Sequence, residues 1–422
     1  MKVFVVTIGI LCMALGSGVA QTLTVEEYRT KVLNYNQDIK QAREAVKAAM
    51  YALKTVKTGF VPRVQLSGNY SYQLENVEFM QGVDMKHDNY SVEAILSQNV
   101  YSGGTVRKQR EEALLQEAIA RLEEELTVDN IVYAADVSYW TLAANERLFA
   151  ISLEFVEIVK ELEGVVQKRF EEGAISKTDL LMVKNRLKEA ELRQSTYRMN
   201  YRTALQSFKI MMGESLGEEN AMIDSIQKPV AIPNLLSLET VLRKRAEYRM
   251  AEQQVNLMKL RTRMIRSQYL PQLAVGVKET WGTPLINVSG DEKFATLAFA
   301  KFVMPVFHGG EKRLQVRRNR VLEMTKELLV NKMKDQIKEE LANAWVKLNE
   351  SEKQVEIANS TLEIARENLM LNTFSYNEGK LPILDVLSSQ ASWLQAYTNV
   401  VSANYQYKVA YAEYMKIVGH LF

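Results

Sequence analysis

One short stretch of this chain occurs twice, and its repetition constrains the fold more than any other feature of the sequence. Both copies contain an aromatic residue, a glycine three positions later and an aspartate six positions after that: Phe170, Gly173 and Asp179 in the first, Tyr376, Gly379 and Asp385 in the second. Glycine readily adopts the left-handed conformation that ends many helices. Each copy therefore predicts the tight turn of a helical hairpin.

Other landmarks keep the same spacing of 206 residues, which indicates an internal duplication. The matched positions are Gly103 and Gly309, Tyr139 and Trp345, and Gly213 and Gly419. A period of about half the chain is too long for the unit of a solenoid. We therefore expect two structural repeats, at 21–213 and 237–422, joined by an irregular linker at 214–236 that contains two prolines.

The first residues have the composition of an export signal. Residues 1–20 contain one lysine, a short apolar run and small residues at the end, which predicts a secretory signal peptide cleaved after Ala20. The only cysteine, Cys12, lies inside this segment and follows Leu11, so we do not expect a lipid anchor there. No later apolar run is long enough for a transmembrane helix. An exported chain of this kind is either soluble or crosses an outer membrane as strands.

Each half contains two segments in which apolar and polar residues alternate, as in a strand with one wet face. In the first of them, Val64, Leu66, Tyr70 and Tyr72 alternate with polar residues. The predicted strands lie at about 62–74, 89–101, 271–281 and 294–307. Each is close to the roughly ten residues that cross a bilayer at a tilt. A small soluble β-domain is the alternative, but the polar second face and the long helices between the hairpins favour the membrane.

Long helices account for most of the remaining chain. The predicted helices lie at about 24–57, 104–172, 177–212, 310–378 and 382–418. The two longest contain no proline and almost no glycine, and in the second Leu341, Leu348 and Leu362 fall on a seven-residue spacing that is typical of coiled coils. The expected fold class is mainly α, with long antiparallel coiled-coil hairpins and a small β part of four antiparallel strands.

Four strands cannot close a barrel on their own. An open sheet edge in lipid leaves amide and carbonyl groups unpaired, and each such group costs several kcal/mol. The smallest bacterial barrels have eight strands. If these strands cross a membrane, several copies of the chain must share one barrel. The strand count alone does not choose between two, three or more copies.

Composition argues against a nucleic-acid partner and against an enzyme. The net charge is +2, and basic residues are mixed with acidic ones along the helices. His87, His308 and His420 are far apart, and the predicted mature chain lacks cysteine, so we expect no metal site and no cofactor. The sequence contains no phosphate-binding glycine loop and no catalytic triad motif.

The order and spacing of these features resemble the TolC-like outer membrane efflux proteins. The resemblance is carried by the export signal, the twofold repeat, the turn motifs and the hairpins that end in Val-Tyr-Ser-Gly-Gly at 100–104 and Val-Phe-His-Gly-Gly at 306–310. It implies a homotrimer whose twelve strands form one barrel in the outer membrane, continued by a helical tunnel into the periplasm. It also implies a passive duct for toxic compounds or secreted proteins, supplied by an inner-membrane transporter through a periplasmic adaptor.

The resemblance further implies roles for residues at the turns. Asp179 and Tyr376 match the polar links that close the periplasmic mouth in that family, and Asp385 matches one of two aspartates that ring the mouth. Ser388 stands at the second ring position and Leu381 where the family has a basic partner, so the closing network and the cation block depart from the family pattern here. The implied adaptor contacts are Phe170, Gly173, Tyr376 and Gly379.

Two alternatives remain open from the residues alone. Carboxylates are also stabilised near helix N-termini, so Asp179 and Asp385 can serve the starts of their helices instead of, or as well as, a pore. The protein as a whole can instead be a periplasmic coiled-coil scaffold without transport, whose short strands pair with a partner.

Overall fold

The structure is a computed structural model that describes residues 22–215, 223–226, 231–283 and 288–419. The predicted signal peptide, with Cys12, lies outside the described residues, as do parts of the predicted linker and His420.

Two sets of helices and strands follow the same order in the two halves of the chain. The helices are α1 (Val25–Tyr35), α2 (Gln37–Lys57), α3 (Thr105–Glu171), α4 (Lys177–Met212), α5 (Leu238–Lys244), α6 (Ala246–Ser267), α7 (Glu311–Asn377) and α8 (Ile383–Ile417). The strands are β1 (Arg63–Tyr72), β2 (Glu78–Met80), β3 (Val83–Asp84), β4 (Asp88–Ser102), β5 (Gln272–Gly282) and β6 (Lys293–Val303). In both halves, two helices lead to a strand pair, then to a helix of 67 residues and a shorter return helix.

Two boundaries differ from the expectation. The helix expected at about 24–57 is interrupted at Asn36, whose side chain accepts hydrogen bonds from the amides of Asp38 (2.9 Å) and Ile39 (3.1 Å). Asparagine is a good N-cap, so a new helix begins there. The last strand ends at Val303, before Pro305, because proline has no amide hydrogen for a ladder.

The four long strands form one open antiparallel sheet in the order β1-β4-β5-β6. Its register places apolar residues on one face, since Val64 lies opposite Leu96 and Leu96 lies opposite Val277. On the other face, Lys278 Nζ lies 2.5 Å from Glu93 Oε1. The sheet therefore has an apolar side and a polar side, and its free edges are β1 and β6.

The register also settles the phase of β6, which is apolar on both faces in the sequence. Ala298 lies opposite Val277 on the apolar face, and Lys301 falls on the polar face. At the end of the sheet farthest from the helices, Trp281 lies with its ring centroid 6.4 Å from that of Phe294 and 5.8 Å from that of Tyr90. Aromatic residues at this depth are typical of the interface between a membrane and water.

The helices next to the sheet repeat the order of the strands. In the described chain α2 packs on α3, α3 on α6, and α6 on α7, so α2 and α7 lie beneath the free edges β1 and β6. Farther from the sheet, α3 packs with α4 and α7 with α8 as long antiparallel hairpins. None of the helices in the described part of the chain is long and apolar enough to cross a membrane.

The seven-residue pattern marks the seam of the second hairpin. Leu341 and Leu348 are buried in a cluster with Tyr407 and Tyr414 of α8, and Leu362 is partly buried farther along α7. Removing such side chains from water supplies most of the stability of a helix in a protein, because helix propensity alone is weak.

The first half contains a buried ion pair between α1 and α3. Arg29 Nε and Nη2 each lie 2.6 Å from a carboxylate oxygen of Asp136, which is 1% exposed. Burial raises the pKa of Asp136, and the hydrogen bonds from Arg29 oppose that rise. The pair therefore keeps a charged group inside the protein only as long as both partners are present.

We expect Arg29→Ala to destabilise the protein by about 3 kcal/mol, because it leaves the Asp136 carboxylate buried and unpaired. The matched control is Lys31→Ala, which removes an exposed partner of Glu214 (3.1 Å) on the same helix and should cost under about 1 kcal/mol. Thermal unfolding in detergent, followed by circular dichroism, measures both. Equal shifts for the two variants would contradict this account.

Candidate functional site at the hairpin tips

The two repeated turns have the same backbone geometry. Gly173 and Gly379 have φ values of 73° and 74°, in the region that favours glycine. The amide of the following residue donates to the carbonyl five positions back, from Ala174 to Arg169 (2.8 Å) and from Lys380 to Ser375 (2.9 Å). This is the Schellman pattern of a helix end, and it turns each long helix back into its return helix.

The helices that leave the two turns begin differently. Ser176 and Asp179 form a capping box: the Asp179 amide donates to Ser176 Oγ (3.2 Å), and the Ser176 amide donates to Asp179 Oδ2 (3.2 Å). The matching residues of the second turn are Pro382 and Asp385. Proline offers neither a side-chain acceptor nor an amide hydrogen, so this box cannot form in α8. Asp179 is thus engaged with its own helix start.

Asp385 is not engaged in this way. It is partly exposed, and within the described residues its carboxylate forms no hydrogen bond or ion pair, while its amide donates to the Pro382 carbonyl (3.2 Å). Ser388, one turn later on α8, is exposed. Two carboxylates at equivalent positions of the repeat therefore have different surroundings.

Arg169 connects the two hairpins, a role that no feature of the sequence predicts. Its guanidinium donates to the carbonyls of Tyr376 (3.0 Å) and Asn377 (2.7 Å) at the end of α7, and lies 4.7 Å from the centroid of the Tyr376 ring. Carbonyls at a helix C-terminus carry partial negative charge that attracts a cation. Arg169 therefore holds the end of α7 against the end of α3.

An apolar cluster supports this contact and includes all four helices of the tip. Its buried members are Leu162, Val166, Leu180, Val183, Tyr376, Ile383 and Val386. Tyr376 is only 4% exposed and its hydroxyl has no hydrogen-bond partner, which leaves a buried polar atom unsatisfied. Phe170 is partly buried against the cluster, whereas Gly173 and Gly379 are exposed at the ends of the turns.

The described residues contain no arrangement suited to metal binding: no group of three or more His, Cys, Asp or Glu side chains could hold an ion. Of the histidines, His87 lies with Nδ1 2.6 Å from the Gln73 carbonyl, and His308 packs edge-on against Tyr269. The tip therefore offers two charged groups: the Arg169 guanidinium, which is bonded to the end of α7, and the Asp385 carboxylate, which has no partner among the described residues.

Similar chains and structures are known. Nodulation protein T of Rhizobium leguminosarum bv. trifolii is 20% identical over 399 residues, which cover 91% of this chain and 83% of that protein. The Campylobacter jejuni outer membrane channel CmeC has a TM-score of 0.81 at 17% identity, with 94% of this chain and 86% of that chain covered. The open state of the Neisseria gonorrhoeae outer membrane channel MtrE has a TM-score of 0.78 at 15% identity, with coverage of 94% and 88%.

These likenesses confirm the fold class expected from the sequence, long antiparallel helical hairpins with four antiparallel strands. The sequence pattern of the family described as outer membrane efflux protein matches residues 29–214 and 238–420, which is most of the chain. The protein is accordingly a channel component of the outer membrane, with its helices in the periplasm, and not an enzyme. The chain belongs to the outer membrane efflux protein family.

Proposed function

We propose that three copies of this chain form a passive exit duct, which receives toxic compounds or secreted proteins from an inner-membrane transporter and a periplasmic adaptor. The family match supports transport out of the cell as the general role. The number of copies, the adaptor and the transporter rest on the resemblance to TolC-like proteins. The substrate needs no shaped pocket, because a broad tunnel passes whatever the pump supplies.

One observation carries the proposal: each free edge of the sheet lies directly above a free edge of the helical wall. β1 and β6 leave unpaired backbone groups, and below them α2 and α7 end the row of helices α2-α3-α6-α7, so each has one side that packs on no other helix of that row. Unpaired groups in hydrocarbon cost several kcal/mol each, so β1 must pair with β6 of another copy. The same contact brings α2 of one copy beside α7 of the next. Closing the barrel therefore also closes the tunnel.

The hairpin tips fit the periplasmic mouth of such a duct. In a trimer, Asp385 would place three symmetry-related carboxylates around the opening, where they attract cations. Asp179 would serve first as the partner of the N-cap Ser176 at the start of α4, and Arg169 would hold the mouth narrow through Tyr376. Because the Tyr376 ring is buried, an adaptor would meet the turns at the exposed Gly173 and Gly379 and at the edge of Phe170.

Deleting the gene should sensitise cells to toxic compounds or abolish secretion of an exported protein, since no other exit would serve the same pump. Growth on broad panels of antibiotics, detergents and metals, together with profiling of secreted proteins, measures this. Complementation with the intact gene is the control. Unchanged sensitivity and unchanged secretion in the deletion strain would rule out the duct for this protein.

Arg169→Gln should widen the mouth and raise single-channel conductance in planar bilayers. It removes charge-assisted hydrogen bonds to two carbonyls, worth about 2–4 kcal/mol together. Lys168→Gln is the matched control, because it removes the same charge from the neighbouring exposed residue, whose side chain forms no hydrogen bond or ion pair within the described residues. If both variants conduct like the unmodified protein, Arg169 does not hold the mouth.

Asp385→Ala should weaken the block of single-channel current by multivalent cations, since it removes the carboxylate that is free to face the pore. Asp179→Ala, at the equivalent position, should instead cost about 1 kcal/mol of stability through the lost cap, with little change in block. Current recordings with added trivalent cations, and thermal unfolding of both variants, separate the two roles. If multivalent cations block the current of Asp385→Ala as strongly as that of the unmodified protein, Asp385 acts only at the start of its helix.

A further inference from the structure

A strongly basic cleft of about 800 Å³ opens directly below the sheet, between the beginnings of α3 and α7 and the end of α6. Its lining contains seven basic side chains and no carboxylate: Lys108 on α3, Arg263 and Arg266 on α6, and Lys312, Arg313, Arg317 and Arg320 on α7. The whole chain of 422 residues has a net charge of only +2. The cleft is a local excess of positive charge.

Most of this charge is not neutralised within the chain. Arg263 Nη2 lies 3.8 Å from Glu111 Oε2, a long ion pair. Within the described residues, the guanidinium groups of the remaining arginines form no ion pair: Arg266, Arg313, Arg317 and Arg320. Like charges at this spacing repel one another, so their clustering favours an anion between them.

The cleft lies at the depth where the membrane ends. Leu270, in its lining, is two residues before the first residue of β5, and Gly310, also in the lining, is seven residues after the end of β6. The aromatic residues Trp281 and Phe294 mark the opposite end of the same strands. Strands of eleven residues at a tilt span the hydrocarbon, so the cleft falls at the headgroups of the periplasmic leaflet.

The strand geometry shows on which side of β4 its neighbour β5 lies when the apolar face is viewed. Tyr90 lies on the apolar face of β4, and its carbonyl accepts from the amide of Thr283 at the end of β5 (2.9 Å). In a strand of L-residues, the direction of the backbone groups relative to the side chain is fixed by chirality. Consider the apolar face viewed with the β1–β4 and β5–β6 connections at the top, so that β4 runs downward. From this viewpoint β5 lies to the left of β4 and β6 to the left of β5. Because α6 leads into β5 and α7 follows β6, α7 lies to the left of α6.

Helix geometry then places Arg263 of α6 and Arg320 of α7 on the side of the wall that this viewer sees. Thr262 of α6 and Asn319 of α7 face each other, with Asn319 Nδ2 2.7 Å from Thr262 Oγ1. The next residue on each right-handed helix, Arg263 and Arg320, is rotated by about 100°. Because α6 rises and α7 descends, both rotations point toward the viewer. The cleft therefore opens on the side that continues the apolar, lipid-facing surface of the sheet.

A neighbouring copy would not neutralise the cleft. In the proposed trimer, the next helix beside α7 is α2 of the adjacent copy, and the last turn of α2 carries Lys54 and Lys57. Those residues would add positive charge near the same depth. The compensating anion must therefore come from outside the protein.

We propose that this cleft binds the phosphate of an anionic phospholipid in the periplasmic leaflet of the outer membrane. Guanidinium groups bind phosphate oxygens in a bidentate manner, and the N-terminus of α7, which follows Gly310, adds a favourable dipole. Leu270 and Val316 in the lining supply apolar contacts for the glycerol and acyl groups. Basic clusters at a membrane surface recognise anionic lipids in this way. The site would fix the depth of the duct in the membrane without taking part in transport.

The test uses the full-length protein in nanodiscs that contain equal amounts of phosphatidylglycerol and phosphatidylcholine with the same acyl chains. Native mass spectrometry counts the lipids that stay bound on release. We expect retained phosphatidylglycerol to exceed phosphatidylcholine, and Arg313→Gln/Arg317→Gln/Arg320→Gln to lower that ratio at least about five-fold. The control, Lys332→Gln/Lys334→Gln/Lys338→Gln, removes three exposed cations farther down α7 and should leave the ratio unchanged.

Several outcomes would overturn the proposal. Equal retention of the two lipids by the unmodified protein, or an unchanged ratio in the triple arginine variant, would show that the cleft does not select anionic lipid. Displacement of phosphatidylglycerol by inorganic phosphate at equal concentration would show a site for free phosphate. If the triple variant does not assemble, Arg263→Gln/Arg266→Gln on α6 tests the same cleft, with the oligomer mass in the same spectra as the folding control. None of these measurements depends on transport.

Discussion

The requirement that backbone groups in hydrocarbon find hydrogen-bond partners governs this structure. All ten residues of β1 are exposed in the single chain, and β6 is the opposite free edge of the sheet. Such a sheet is not a stable end state in lipid, since every unpaired amide or carbonyl costs several kcal/mol. The helical wall repeats the strand order, so α2 and α7 lie at its two open edges. The membrane-spanning strands therefore require pairing with another copy of the chain, and that pairing also brings the edge helices of neighbouring copies together.

The helical part satisfies a different requirement, because water is available along its whole length. Its long helices bury an apolar seam that contains Leu341 and Leu348, while other apolar side chains of α7, such as Ile357 and Ile364, are exposed in the single chain. The buried carboxylate of Asp136 in this region is paired with Arg29. Gly104 and Gly310, both with positive φ, immediately precede the two long helices that begin below the sheet. The transition from lipid to water is completed within a few residues, next to the basic cleft.

Periodicity predicted the fold class because each period maps directly onto a face of a strand or helix. The alternation at Val64 and Leu66 gave the lipid-facing side of β1, and the sevenfold leucines gave the seam of α7. The phase of β6 was not predictable, since Leu297 and Phe299 make its second face apolar as well, and only pairing with β5 decides it. Arg169 was missed because its bond to Tyr376 spans 207 positions, and no local pattern signals such a contact.

The duplication explains why two matching aspartates have different surroundings. Both turns keep the glycine and the Schellman bonds, so the backbone delivers position 179 and position 385 to equivalent places. One difference follows at the helix start: Ser176 accepts from the Asp179 amide, whereas Pro382 offers only its ring and a preset φ of −72°. In a capping box the carboxylate is oriented toward its own helix and partly neutralised by the donors it accepts from. With proline in that place, the first turn of α8 is preorganised by the ring. The Asp385 carboxylate is then left outside any capping box, so in the proposed duct one repeat would carry a pore charge without loss of the turn that both repeats need.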